Sequence, residues 1–282
     1  MNRRKFLQIA GVGGGAALSG CTLKAGASDK PSEFVGMLVD TTRCIGCRSC
    51  EVACAEANGL PEPDFSTDVF EKERKTDTNH WIVINRYETE KGTVFARRAC
   101  MHCNQAACAS ACLVKAMLKT KEGPVIWRNS KCMGCRYCMI SCPFDIPKFE
   151  YNSYNPRIRK CIFCYERLKK GQKPACVEAC PADALKFGRR RDLVEEAKMR
   201  IYQNSDKYVH YIYGEHEVGG TGLLYLSSVP FEQIGFRTDL GTTAYPELTT
   251  GFLYGVAMVF ILWPAFLLGV NYISKRREEN ER

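Results

Sequence analysis

Cys132-Met133-Gly134-Cys135-Arg136-Tyr137-Cys138-Met139-Ile140-Ser141-Cys142-Pro143 is the stretch on which the reading of this chain turns. Three cysteines spaced every third residue let a loop curl round three corners of a cuboidal iron–sulfur core. The fourth, four residues on, opens a helix that points away toward a neighbouring core. The same run occurs upstream as Cys44, Cys47, Cys50 and Cys54. Two variants complete the set: Cys100, Cys103, Cys108 and Cys112, and then Cys161, Cys164, Cys176 and Cys180 followed by Pro181. Four groups working in pairs predict four [4Fe–4S] clusters.

Other uses of cysteine fit less well. Cysteines three residues apart do not readily pair with one another as disulfides, and the repetition would be unexplained. Zinc takes two ligands from a knuckle rather than four crowded into eleven residues. Scattered free thiols would be an oxidative liability. The remaining composition agrees with a redox carrier. Seventeen cysteines in 282 residues is far above ordinary usage, and the formal net charge is +9 with cysteines counted as neutral. Sixteen thiolates round four cores of about 2+ leave about −8 in all, so most of the excess positive charge offsets the clusters and no nucleic-acid partner is implied.

The two ends carry address signals. Met1-Asn2-Arg3-Arg4-Lys5-Phe6-Leu7, ahead of a small-residue and apolar stretch, resembles a twin-arginine (Tat) export signal. Leu18-Ser19-Gly20-Cys21 resembles a lipoprotein processing box, which makes Cys21 a candidate for lipidation. From Gly251 to Val270 no residue is charged, enough length for a transmembrane helix; Lys275, Arg276 and Arg277 follow and place the C-terminus in the cytoplasm. Gly251 with Gly255, and Ala265 with Gly269, are spaced for close approach by a membrane partner. Both ends put the bulk of the chain on the periplasmic side of a bacterial membrane.

Cys44-Ile45-Gly46-Cys47, Cys100-Met101-His102-Cys103, Cys132-Met133-Gly134-Cys135 and Pro174-Ala175-Cys176-Val177-Glu178-Ala179-Cys180-Pro181 resemble the four-cluster iron–sulfur (beta) subunits of the dimethyl sulfoxide reductase superfamily. Within it the chain is most similar to the beta subunits of periplasmic membrane-bound [NiFe] hydrogenases and formate dehydrogenases. The resemblance runs from Met37 to Lys198, resumes at Glu217 and includes the C-terminal helix. It implies a ligand map. Cys44, Cys47 and Cys50 share a cluster with Cys180, and Cys161, Cys164 and Cys176 share one with Cys54. Cys100, Cys103 and Cys108 go with Cys142, and Cys132, Cys135 and Cys138 with Cys112. The family commonly has proline where Leu113 stands, a departure that removes no ligand.

The implied fold class is α+β: two interleaved dicluster ferredoxin-like units plus one C-terminal transmembrane helix. Residues 1–21 are the signal, and 36–60 with 155–198 form the first, discontinuous unit. Residues 61–90 are an insertion, 91–154 the second unit, 199–248 a connecting segment, 249–273 the membrane helix and 274–282 a cytoplasmic tail. The resemblance implies electron relay between a catalytic subunit, of [NiFe] hydrogenase or Mo/W-pterin type, and an integral membrane quinone-reactive or cytochrome subunit. A tethered ferredoxin serving multihaem cytochromes is the alternative from a different class. No nucleophile–base pair, carboxylate dyad or phosphate loop is present, so no catalytic residue is assigned and the chain is not expected to be an enzyme on its own.

Between the groups, Trp81-Ile82-Val83-Ile84 and Thr221–Ser227 read as strands and Asp192–Gln203 as an amphipathic helix with Leu193, Ala197 and Ile201 on one face. Arg189-Arg190-Arg191 reads as a solvated run. Arg97, Arg98, Lys131, Arg136, Arg159 and Lys160 lie near cluster groups, equally consistent with surface charge and with tuning of the clusters. His102 reads as a structural residue, because full cysteine sets leave it no ligand position.

Overall fold

The computed structural model describes residues 34–280. The export-signal segment, the processing box and Cys21 lie outside the described residues. β1 (Val35–Asp40) leads through the loop bearing Cys44 and Cys47 into α1 (Ser49–Asn58), which carries Cys50 and Cys54. β2 (Val83–Thr89) and β3 (Gly92–Arg98) form a hairpin. One-turn α2 (Ala107–Ser110) precedes a hairpin of β4 (Met117–Lys119) and β5 (Val125–Trp127); one-turn α3 (Tyr137–Ile140) precedes another of β6 (Lys148–Phe149) and β7 (Ile158–Arg159). The chain continues through α4 (Tyr165–Lys169), α5 (Ala175–Glu178), β8 (Leu185–Arg189), α6 (Arg190–Gln203), β9 (Leu223–Leu226), α7 (Tyr245–Leu248) and α8 (Thr250–Asn280).

The main sheet has the order β8-β1-β9, with Met37 antiparallel to Phe187 on one side and parallel to Leu223 on the other. Strand alternation divides its side chains between two cores. Met37, Val39, Leu223 and Tyr225 join the cluster-side core, whereas Leu38, Leu224 and Leu226 pack with Leu193 and Ala197 of α6. A central strand covered on both faces explains the unbroken apolar run from Val35 to Val39.

The structure revises several sequence expectations. Trp81 and Ile82 are buried, but the strand begins only at Val83. The helix expected from Asp192 starts at Arg190, and the strand expected over Thr221–Ser227 is Leu223–Leu226. Residues 199–248, expected to be a connection, supply β9 and with it Tyr213, Phe231 and Phe236 of the cluster-side core. Arg190 is not solvated. Its Nε donates to the Thr221 carbonyl at 2.6 Å and its Nη2 to those of Glu215 at 2.9 Å and Gly214 at 3.2 Å.

Glu51, 3 % exposed, fastens the β2–β3 hairpin to α1. Its carboxylate accepts from Arg48 Nη2 at 2.7 Å, Arg74 Nη2 at 2.7 Å and the Ile84 backbone N–H at 2.6 Å. This buried charge is paired and hydrogen-bonded on both oxygens, the condition under which burial is tolerated.

α8 is long and apolar enough to cross a membrane by length and composition. Pro264 sits inside it, and the helix continues as one element on both sides. Its apolar side chains from Phe252 to Ile273 are largely exposed, and they are uniform enough that no polar face remains for water.

Candidate functional site

The third residue of the first C-x-x-C turn in each group has left-handed backbone: Gly46 at φ 72°, His102 at 48°, Gly134 at 74° and Phe163 at 60°. For the two non-glycines this costs about 1–2 kcal/mol each. At Gly46 a Cβ would also lie 2.5 Å from the Phe95 ring, so glycine is required there on two counts. A second repeat follows the closing cysteines. Lys115, Asp145 and Asp183, each three residues beyond one, are also left-handed. The turn sends the next amide back, with Ala116 N–H donating to Cys112 Sγ at 3.1 Å and Ala184 N–H to Cys180 Sγ at 3.3 Å. Strain repeated at equivalent positions of separate groups marks one purpose, the aiming of sulfur and amide at a common centre.

All sixteen described cysteines are free thiols. Cys44, Cys47, Cys50 and Cys180 line one cavity of about 30 Å³, and Cys54, Cys161, Cys164 and Cys176 line another of about 10 Å³. Among the described residues no three acidic, histidine or cysteine side chains close on a point fit for one metal ion; the two cavity sets surround a space instead. The other eight cysteines fall into two neighbourhoods. Cys103 feels Cys100, Cys142 and Cys108, while Cys138 feels Cys112, Cys132 and Cys135. The neighbourhoods form a row. Cys50 adjoins Cys176, Cys161 adjoins Cys100, and Cys108 adjoins Cys138.

Burial, then mutual repulsion, pushes these thiols up: Cys138 and Cys142 to about 11, with Cys142 also held back by the Ile146 amide, and Cys108 and Cys161 to about 12. Four sulfurs crowded about one space serve as ligands only as thiolates, a form that a positive core among them would stabilise. The donor set, four sulfurs per neighbourhood with returning amides, fits iron–sulfur cores.

Two cations are buried between the sulfur sets, each 2 % exposed. Arg97 extends Nη2 to within 3.8 Å of Cys176 Sγ. Burial pushes its guanidinium down, but Cys176, Tyr225, Cys161 and Cys50 outweigh that and the net shift is upward. Lys160 reaches Cys100 Sγ at 3.7 Å, the Cys161 carbonyl at 3.0 Å and the Val125 carbonyl. Sequence left both equally open as surface charges, and the structure places them inside. His102, read from the sequence as a structural residue, is buried. Val125 N–H donates to its Nδ1 at 2.9 Å, and burial, then the charges of Lys160, Lys119 and Arg97, hold its pKa well below the usual range. At the two ends of the row Cys47 and Cys135 are exposed. Around them Ile45, Met133, Tyr137 and Ile140 are exposed as well.

Two family models, each described as a 4Fe-4S dicluster domain, match residues 43–116 and 92–190. Two such domains amount to four [4Fe–4S] clusters. Relatives extend the likeness to the whole chain. A protein of Nitratidesulfovibrio vulgaris is 47% identical over 290 residues, covering 99% of this chain and 78% of that protein. The hydrogenase-2 operon protein HybA of Escherichia coli O157:H7 is 34% identical over 323 residues, covering 100% of this chain and 97% of HybA. The iron-sulfur subunit of nitrate-inducible formate dehydrogenase of Escherichia coli K12 is 34% identical over 200 residues, 68% of this chain and 67% of that subunit. With its row of cysteine neighbourhoods and its dicluster domains, this chain belongs to the family of four-cluster iron–sulfur electron-transfer subunits that includes HybA and the formate dehydrogenase iron–sulfur subunits.

Proposed function

We propose that this subunit relays electrons between the catalytic subunit of a [NiFe] hydrogenase and an integral membrane quinone-reactive or cytochrome subunit. The observation that carries the choice of partner is coverage, because HybA aligns over 97% of its length and the formate dehydrogenase subunit over 67%. The body stands on the periplasmic side, exported by the twin-arginine signal, and α8 crosses the membrane with its C-terminus in the cytoplasm. A molybdenum or tungsten pterin enzyme is the second reading, favoured only by the likeness to formate dehydrogenase subunits.

In this reading the clusters are held as Cys44, Cys47, Cys50 with Cys180; Cys54 with Cys161, Cys164, Cys176; Cys100, Cys103, Cys108 with Cys142; and Cys112 with Cys132, Cys135, Cys138. The two cavities and the two electrostatic neighbourhoods support that grouping. The clusters supply one-electron capacity. The chain contributes placement, exclusion of water from the inner sites, and exposed sulfurs at Cys47 and Cys135 where partners exchange electrons. Residues 36–60 with 155–198 and residues 91–154 then serve as the two ferredoxin-like units.

Elemental analysis of the complex that this subunit pulls from native membranes tests the partner. Nickel is the expected finding; molybdenum or tungsten without nickel would transfer the assignment to a pterin enzyme, and none of the three would sink both readings. The ligand map has its own check. Cys135→Ala should lower iron from about sixteen to between about twelve and fifteen per chain while the other clusters assemble, and unchanged iron would count against the map.

A further inference from the structure

Arg97 is a buried cation without a carboxylate partner. Among the described residues it forms no ion pair with Asp or Glu, its Nε and Nη1 lack any hydrogen-bond partner, and its contact through Nη2 is Cys176 Sγ at 3.8 Å. A guanidinium stays charged at any pH the protein meets. Burying such a charge is costly unless an opposite charge is near. Cysteine sulfurs supply it. Arg97 is the one residue that lines both the cavity of Cys44, Cys47, Cys50 and Cys180 and the cavity of Cys54, Cys161, Cys164 and Cys176.

Its position is fixed by pairing rather than by flexible reach. In the β2–β3 hairpin Arg97 stands opposite Ile84. The Ile84 amide is held by Glu51, the residue next to Cys50. The hairpin thus delivers one positive charge to the wall between two sulfur sets.

We propose that Arg97 is a positioning residue for electron transfer, a shared counter-cation that raises the reduction potentials of the first two clusters together. The inference rests on the ligand map proposed above. Each of these sites, with four thiolates round a core of about 2+, carries about −2 and gains one more negative charge on reduction. A fixed cation at the boundary favours the reduced form of either site. One electron arrives from the neighbouring carrier and leaves to the next, with no bond made or broken and no proton moved by Arg97.

The test is a redox titration, followed by electron paramagnetic resonance, of the full chain purified in mild detergent. Arg97→Gln should lower two of the four midpoint potentials, each by at least a tenfold change in the reduced-to-oxidised ratio, about 59 mV for a one-electron couple. The other two should move by less than threefold. Arg97→Lys keeps the charge and should restore the parent potentials. Iron per chain is measured alongside. About sixteen irons with no potential lowered tenfold, or with all four lowered alike, overturns the role of Arg97 and leaves the ligand map standing. If Arg97→Gln fails to hold iron, Arg97→Lys decides. Full loading at parent potentials supports the counter-cation, whereas loss of iron or a tenfold fall in the lysine variant overturns it.

Discussion

Stripped of iron by a chelator under reducing conditions, the described fold should be lost, not merely loosened. The segments that hold the sulfurs have little structure of their own. Ala107–Ser110, Tyr137–Ile140 and Ala175–Glu178 are single turns of helix, and Lys148–Phe149 with Ile158–Arg159 is a two-residue pairing. Left-handed backbone at His102 and Phe163 is strained without a centre to justify it. The larger effect is electrostatic. Arg97 and Lys160 would be left as buried cations without counter-charge, at about 3–5 kcal/mol each. A chain of ordinary stability, about 5–15 kcal/mol, has little left after such a loss. Cysteine thiols of the unfolded, iron-free chain are mostly protonated at neutral pH and must lose those protons to bind iron, so iron loading releases protons and is disfavoured by acid. Limited proteolysis checks this directly. Cleavage within residues 100–180 should accelerate at least tenfold on iron removal; equal protection of the two forms would mean that the core holds without its clusters.

Removal of residues 249–282 should move the chain from the membrane fraction to the soluble fraction while four clusters remain bound. α8 starts at Thr250, and the last residue of the hydrophobic cores before it is Phe236. Among the core residues none lies within α8. Its Gly251–Val270 segment is uncharged, and each Leu, Ile, Phe or Val at the centre of such a helix contributes roughly 0.3–0.6 kcal/mol to insertion. Salt- and carbonate-washed membranes from cells making the full and shortened chains give the result. Retention of the shortened chain, abolished only by Cys21→Ser, would assign anchoring to the N-terminus instead.

Metal chemistry was legible in the sequence because sixteen cysteines keep a local spacing that few other uses of cysteine produce. The membrane helix was legible because an uncharged run of that length has one main physical meaning. The outer helix of the main sheet was nearly so, its Leu193 and Ala197 standing four residues apart on the buried face. Arg97, Lys160 and Arg190 were not. Whether a basic side chain is solvated depends on what the rest of the chain lays over it, and local pattern does not contain that. Arg97 turns inward because Glu51, forty-six positions earlier, clamps its hairpin at Ile84. Arg190 sits between two exposed arginine neighbours in sequence, yet its acceptors belong to Gly214, Glu215 and Thr221, in a stretch that read as a connection. The alternation in β3 did not mark the site either, since Arg97 and Arg98 are adjacent and only the first is fully buried.

The central strand of the sheet also sets a clock. Met37 pairs with Phe187 and with Leu223, partners made long after it. At roughly 5–20 residues per second, a ribosome needs on the order of 10–40 s to proceed from the first strand to the last. Through that interval Met37, Leu38 and Val39 present apolar side chains to both sides with at least one edge of the strand unoccupied. Cys44, Cys47 and Cys50 emerge within a few residues of that strand, but Cys180 is made near the end of the wait. The nascent chain therefore carries an open sulfur trio until Cys180 is made and a strand bare on at least one edge until Leu223–Leu226 arrives.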